Sequence, residues 1–221
     1  MESGSSAKIR VLIVDDHPMV REGLRSMLSA DAIEVVGDAG TAVEAIRCAE
    51  ELAPDVVLLD VELPDLDGVT ALGRIKAVAP RASVLIVSMH DDHRLVRRAV
   101  SAGAAGYVLK GVGRRELLAS VRAVRAGESV MDPALLRVLL AEIPPEPGAR
   151  TPGGGGSESL TLVEREILRL IADGLTNKEI GERMRWSVGT AKKYVQRILE
   201  KLGVSDRTQA AVEAVRAGLF D

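Results

Sequence analysis

The run Val11-Leu12-Ile13-Val14-Asp15-Asp16-His17-Pro18 decides how the first half of the chain is read. Four successive branched apolar residues suit a strand covered on both faces. The acidic pair and the proline then end that strand and open a helix. Working outward, strand-like runs recur at 9–14, 33–37, 56–59, 84–87 and 107–109. Between them the spacings Val20/Leu24/Met27/Leu28, Val43/Ile46/Ala49 and Leu117/Leu118/Val121/Val124 are helical. A five-fold βα alternation predicts a parallel sheet with helices on both faces, and places chemistry at the carboxyl ends of the strands.

Those ends carry a distinctive set. Asp15 and Asp16 follow the first strand, Asp60 the third and Lys110 the fifth. Three carboxylates held close repel one another unless a hard cation sits among them, and Mg²⁺ with its octahedral oxygen shell suits the cluster. A carboxylate beside such an ion can attack phosphorus while the lysine neutralises the transferring group. Asp60 is the expected nucleophile. His17 reads as a helix-start residue rather than a ligand, and Cys48 as a packed thiol on an amphipathic helix.

Composition narrows the classes. The chain has 221 residues, 47% apolar and 28% charged, which is ordinary for globular proteins. An aromatic share of 2% disfavours a single-strand nucleic-acid platform of stacked rings. The single Cys48 excludes an intramolecular disulfide framework or a multi-thiolate zinc site. Neither a membrane-length apolar run nor a secretory signal is found, so a cytoplasmic location is expected.

Residues 143–157, IPPEPGARTPGGGGS, belong to a segment holding four of the nine prolines and read as a linker, stiff and then flexible. Charge differs on its two sides. Residues 1–158 carry 18 basic and 23 acidic residues (net −5), and residues 159–221 carry 11 and 9 (net +2). The second part shows only helical patterns, near 161–172, 176–184, 187–202 and 205–217. Thr161 with Glu164 and Thr176 with Glu179 have capping-box spacing, and Ser187 and Ser205 are candidate N-caps. Gly174 and Gly203 stand where helices should stop. The expected division is a disordered 1–7, an α/β domain at 8–126, an extra helix within 127–141 (133–141 by pattern), a linker at 142–158 and a small helical domain at 159–221.

From Arg183 to Lys201 six basic residues meet one acidic residue, Glu200. In the helix from Ser187 the positions Val188, Ala191, Val195, Ile198, Leu199 and Leu202 should face the core. Gly189, Lys192, Lys193 and Gln196 then face outward. A short helix, a turn near Arg185 and this basic helix fit a helix-turn-helix whose second helix can enter a major groove. Lys can reach guanine O6/N7 and Gln can pair with adenine.

The motifs VLIVDDHP (11–18), LLDVELPDLDG (58–68), IVSMHDD (86–92) and GYVLK (106–110) resemble a response-regulator receiver domain over about residues 8–126. That resemblance implies a flavodoxin-like fold and phosphoryl transfer from a sensor histidine kinase to Asp60. It further implies Mg²⁺ on Asp15, Asp16, Asp60 and the Glu62 backbone carbonyl, Lys110 on the phosphoryl oxygens, and Ser88 with Tyr107 as the switch pair. It also implies that Glu62 and His90 flank the water that attacks the phosphoryl group.

The segments LTLVEREILRLIADGLTNKEIGERM (160–184) and TAKKYVQRILEKLGVSDRTQAAVEAV (190–215) resemble a LuxR-type DNA-binding domain. This resemblance implies base reading by Lys192, Lys193 and Gln196, with Thr190, Asn177, Lys178 and Arg197 near phosphate. It also implies a dimer contact through Val204, Gln209 and Val212. Departures from the pattern are Val163, Ala191 and Tyr194. Together the two resemblances imply a NarL/FixJ-type response regulator: a transcription factor and not an enzyme, which dimerises when phosphorylated. Its partners would be the kinase, double-stranded promoter DNA and the transcription machinery, with no membrane. In the inactive form the receiver would cover the basic helix.

The rivals are a haloacid-dehalogenase-like phosphotransferase and a phosphorylation-independent or ligand-controlled LuxR-type regulator. The first fits poorly because its Asp-x-Asp would follow the first strand. The intact acidic set and the low aromatic count argue against the second.

Overall fold

A computed structural model describes residues 8–29, 32–89, 92–131 and 160–216. The expectations for 1–7, His90, the helix at 133–141 and the linker at 142–158 lie outside the described residues.

The strands are β1 (Ile9–Val14), β2 (Ile33–Ala39), β3 (Val56–Leu59), β4 (Ser83–Ser88) and β5 (Gly106–Leu109). All pair in parallel, in the order β2-β1-β3-β4-β5. The helices between them are α1 (Pro18–Leu28), α2 (Ala42–Leu52), α3 (Gly68–Val78) and α4 (His93–Ser101), and α5 (Arg114–Arg125) follows β5. The period of two sorts each strand between two cores. Leu12, Val14, Val57, Leu59, Val84 and Ile86 pack on the α2, α3 and α4 side. Val11, Ile13, Val56, Leu58, Leu85 and Val87 pack on the α1 and α5 side. This is the expected doubly wound α/β fold.

Four helices follow: α6 (Leu162–Ala172), α7 (Asn177–Met184), α8 (Val188–Leu202) and α9 (Arg207–Arg216). Both expected capping boxes form, on Thr161/Glu164 and Thr176/Glu179. Ser187 caps α8, and Gly203 closes it with a left-handed φ of 69°. Ser205 departs from expectation. The N–H of Gln209 is received by Asp206 Oδ1, at 2.9 Å, so Asp206 caps α9. The Ser205 hydroxyl is engaged elsewhere, by Lys76 of α3.

That contact belongs to a wider one. Val96 and Val100 of α4 share a buried cluster with Ile167, Leu168, Ile198 and Ala210 of the helical domain. Across the same boundary Arg207 N–H donates to Gly127 O (3.1 Å), and Arg216 donates to Ser101 O (2.8 Å). The Thr208 and Ser129 hydroxyls lie 3.0 Å apart. Ser101, Gly127 and Ser129 stand at the amino-terminal edge of the sheet, opposite the edge that carries Asp60 and Lys110. No helix among the described residues is long and apolar enough to cross a membrane.

Candidate functional site

The carboxyl edge of the sheet brings β1, β3 and β5 together, and with them Asp15, Asp60 and Lys110. Lys110 Nζ lies 2.7 Å from Asp15 Oδ2 and 2.7 Å from Asp60 Oδ2. Asp15 and Asp60 are almost fully buried. Burial pushes the Asp60 carboxyl above the ordinary carboxylate range, against the pull of Lys110 and the Glu62 N–H. For Lys110, burial opposes the charge, but the hydrogen bonds and charges of Asp15 and Asp60 prevail and its pKa rises. The lysine therefore does part of a cation's work here, holding together two carboxylates that would otherwise repel.

Asp16 Oδ1 is buried and accepts no hydrogen bond, although His17 Nδ1 is close to it. Asp15, Asp16 and His17 each offer one ligand atom within 4.8 Å of one another. Hard oxygens from two adjacent aspartates fit a divalent cation such as Mg²⁺. His17 is also the N-cap residue of α1, without a side-chain cap. Glu62 is exposed, and its N–H donates to Asp60 Oδ1 at 3.3 Å.

Gly68 explains why the loop after Asp60 reads as it does. A Cβ at 68 would fall 2.4 Å from the Asp60 carbonyl oxygen and 2.5 Å from Val61 Cα. Only glycine lets α3 start this close to Asp60. Asp65 accepts from the N–H groups of Ala42 (2.8 Å) and Val43 (3.0 Å), tying the same loop to the start of α2. Ser88, at the end of β4, is fully buried, and its carbonyl receives the Lys110 N–H at 2.7 Å. The half-buried Tyr107 ring packs against both the α2–α4 core and the cluster shared with the helical domain. Arg98 of α4 reaches Asp67 in the same loop, at 2.7 Å.

In the helical domain α8 buries Ala191, Val195, Ile198 and Leu199 as its spacing requires and half-buries Leu202, but Val188, expected in the core, is exposed at the first turn. Lys192, Lys193, Gln196 and Arg197 are exposed on its other side. Several are engaged: Lys192 with Glu128 (2.9 Å), Gln196 with Glu200 (3.3 Å) and Arg197 with the buried Glu164 (3.3 Å). Thr190 lies 2.9 Å from the Ser187 hydroxyl, and Lys178 pairs with Glu182 at 4.0 Å. Asn177 Oδ1 is buried without a partner. A cleft of about 260 Å³ between the domains is lined by Glu128, Ser129, Thr176, Lys178, Lys192 and Arg207. Val212, expected at a dimer surface, is a core residue, and Gln209 lies against Gly103.

Sequence reasoning missed three features. Tyr194 stacks on Trp186 with centroids 4.6 Å apart, and these are two of the four aromatic residues of the chain. Arg207 is buried, which lowers its pKa, and donates to Leu175 O. Lys76 is buried at the end of α3. A buried charge carries no sequence signal, because an amphipathic helix reads every lysine as solvated.

Comparison with known proteins agrees with both halves. Residues 11–122 match the response regulator receiver domain, and residues 158–214 match the bacterial regulatory proteins of the luxR family. The chain is 40% identical over 207 residues to the transcriptional activator DevR/DosR of Mycobacterium tuberculosis, covering 93% of this chain and 94% of the relative. It is also 40% identical over 214 residues to the regulatory protein LiaR of Bacillus subtilis, covering 96% and 100%. Among solved structures it resembles the response regulator ChrA of a heme-sensing two-component system, with 32% identity, a TM-score of 0.50, and 97% and 100% coverage. A parallel sheet with an acidic carboxyl edge, joined to a helix-turn-helix with a basic outer face, places the chain in the NarL/FixJ-type two-component response regulators, a receiver coupled to a LuxR-type DNA-binding domain.

Proposed function

We propose that Asp60 is the phosphoacceptor of this regulator and that its phosphorylation controls DNA binding by α8. The observation that carries the reading is the buried Asp15–Lys110–Asp60 bridge, with 2.7 Å on each side. A carboxylate oxygen of Asp60 forms the new O–P bond as the P–N bond of a sensor kinase's phosphohistidine breaks. Asp15, Asp16, Asp60 and the Glu62 carbonyl would hold Mg²⁺, which when bound neutralises charge on the transferring group. Lys110 supplies a second positive charge to the phosphoryl oxygens. Burial keeps bulk water from the acceptor. Ser88 and Tyr107 would answer the new dianion, the hydroxyl by turning toward it and the ring by moving inward.

On the output side Lys192, Lys193 and Gln196 read base edges, while Thr190, Asn177, Lys178 and Arg197 contact phosphate. The partners are the kinase, promoter duplex, a second phosphorylated copy and the transcription machinery, in the cytoplasm. Glu128 on Lys192 supports an unphosphorylated state in which the receiver covers the reading face. The test is incubation with Mg²⁺ and acetyl phosphate followed by intact mass, beside Asp60→Asn. One phosphoryl group is expected on the wild type and none on the variant. An adduct that survives Asp60→Asn overturns the assignment.

A further inference from the structure

Lys76 is the last basic residue of α3, and its ammonium is buried where the two domains meet. It donates to Ala82 O at 2.8 Å, within the receiver, and to Ser205 Oγ at 2.6 Å, across the boundary. The Ser205 hydroxyl in turn donates to Asp206 Oδ2 at 2.6 Å, and the Lys76–Asp206 ion pair measures 3.8 Å. The Asp206 side chain is fully enclosed, and its other oxygen caps α9. One relay thus ties the base of the receiver to the cap of the last helix.

We propose that Lys76, Ser205 and Asp206 form an interdomain clasp that holds α9 against the base of the sheet and must be hydrated before the DNA-binding domain is freed. The inference rests on the closed state read above and names what regulates it. Burying two charges costs most of what their attraction returns, so such a pair fixes geometry while adding little net strength. Burial drags the Lys76 ammonium below its ordinary range, with Asp206 opposing. A wholly apolar joint of the same size would close more tightly and release less readily. The neighbouring Gly127 shows how close the fit is: its φ is +76°, and a Cβ there would lie 2.8 Å from Leu199 Cδ1 of α8.

The clasp makes a non-additive prediction. In Lys76→Met the carboxylate of Asp206 stays buried without its cation, and in Asp206→Asn the ammonium does, while Asn keeps the cap. The double variant leaves neither charge stranded. A direct probe exists: Arg207 is the first residue of α9, where an N–H has no partner within its own helix. Its hydrogen bond to Gly127 O is therefore made only while the domains are docked.

Amide exchange at Arg207 should be followed in the unphosphorylated full chain, with small-angle scattering alongside. We expect protection in the wild type, roughly tenfold or more faster exchange in each single variant, and near-wild-type protection in the double. Circular dichroism checks the fold. Lys76→Met alone carries the test if Asp206→Asn misfolds, since its position is remote from the acid pocket and outside the helical domain. Single variants that keep full protection, or a double variant that loses as much as both singles combined, overturn the clasp while leaving closure intact. An unprotected Arg207 amide and an extended envelope in the wild type overturn closure itself.

Discussion

Asp60 sits in a loop whose backbone has no spare volume. Gly68→Ala would press a methyl into the Asp60 and Val61 backbone, at 2.4 and 2.5 Å, and neither can yield as a flexible side chain would. Thermal denaturation should reveal a loss of roughly 1–3 kcal/mol, the usual cost of an overpacked site. Acetyl phosphate should label the variant more slowly. At this scale the acid pocket was legible because Asp15, Asp60 and Lys110 each stand one residue beyond a run of branched apolar residues, and a parallel sheet brings such positions together. Lys76 was not. It lies in a helix otherwise patterned like its neighbours, and its side-chain partners across the boundary, Ser205 and Asp206, are distant in sequence. The same contact explains the displaced cap: Ser205 satisfies the capping rule, yet its hydroxyl is drawn to the ammonium and Asp206 takes over.

Among the elements, α6 shows how local rules and tertiary packing reinforce each other. Its capping glutamate, Glu164, is nearly inaccessible and bonds Lys201 at 2.8 Å as well as the Thr161 N–H. Burial alone would raise its pKa, but these partners bring it below the ordinary value of 4.5. A group depressed in this way stabilises the fold fully at neutral pH, and that contribution disappears as the pH falls through the folded value. The helical domain should therefore lose stability as the pH drops below about 4.5, and Glu164→Gln should flatten that slope while lowering stability at pH 7. Melting curves across pH, followed by the fluorescence of Trp186, decide it. The capping boxes were legible to the residue because they are encoded within four positions. The end of β2 was not: Asp38 and Ala39 extend that strand past Gly37, where the register against β1 shifts, and no periodicity announces an irregular pairing.

For the molecule as a whole, the proposed closed state makes the relation between its two domains the point of control, and the sequence alone yielded only the expectation that the receiver covers the basic helix. Glu128 occupies Lys192, a residue offered for base reading, with both side chains partly exposed. An exposed pair of this kind contributes modestly. Glu128→Gln should raise the affinity of unphosphorylated protein for duplex DNA by up to about fivefold, measured by fluorescence anisotropy. On the proposed release of the recognition helix, the phosphorylated protein should show no such gain. A gain of equal size in both forms would place Glu128 outside the closed state.

The Asp60 pocket and the domain contact lie at opposite ends of one sheet. β4 separates them: Ala82, just before the strand, receives Lys76, and Ser88 ends it beside the acceptor. Six residues of strand span about 20 Å. On the proposed clasp, the threshold at which this regulator responds is therefore heritable apart from the chemistry at Asp60. Substitutions around Lys76 and Asp206 can make descendants more or less sensitive to the same signal while the acceptor pocket and its kinase stay unchanged.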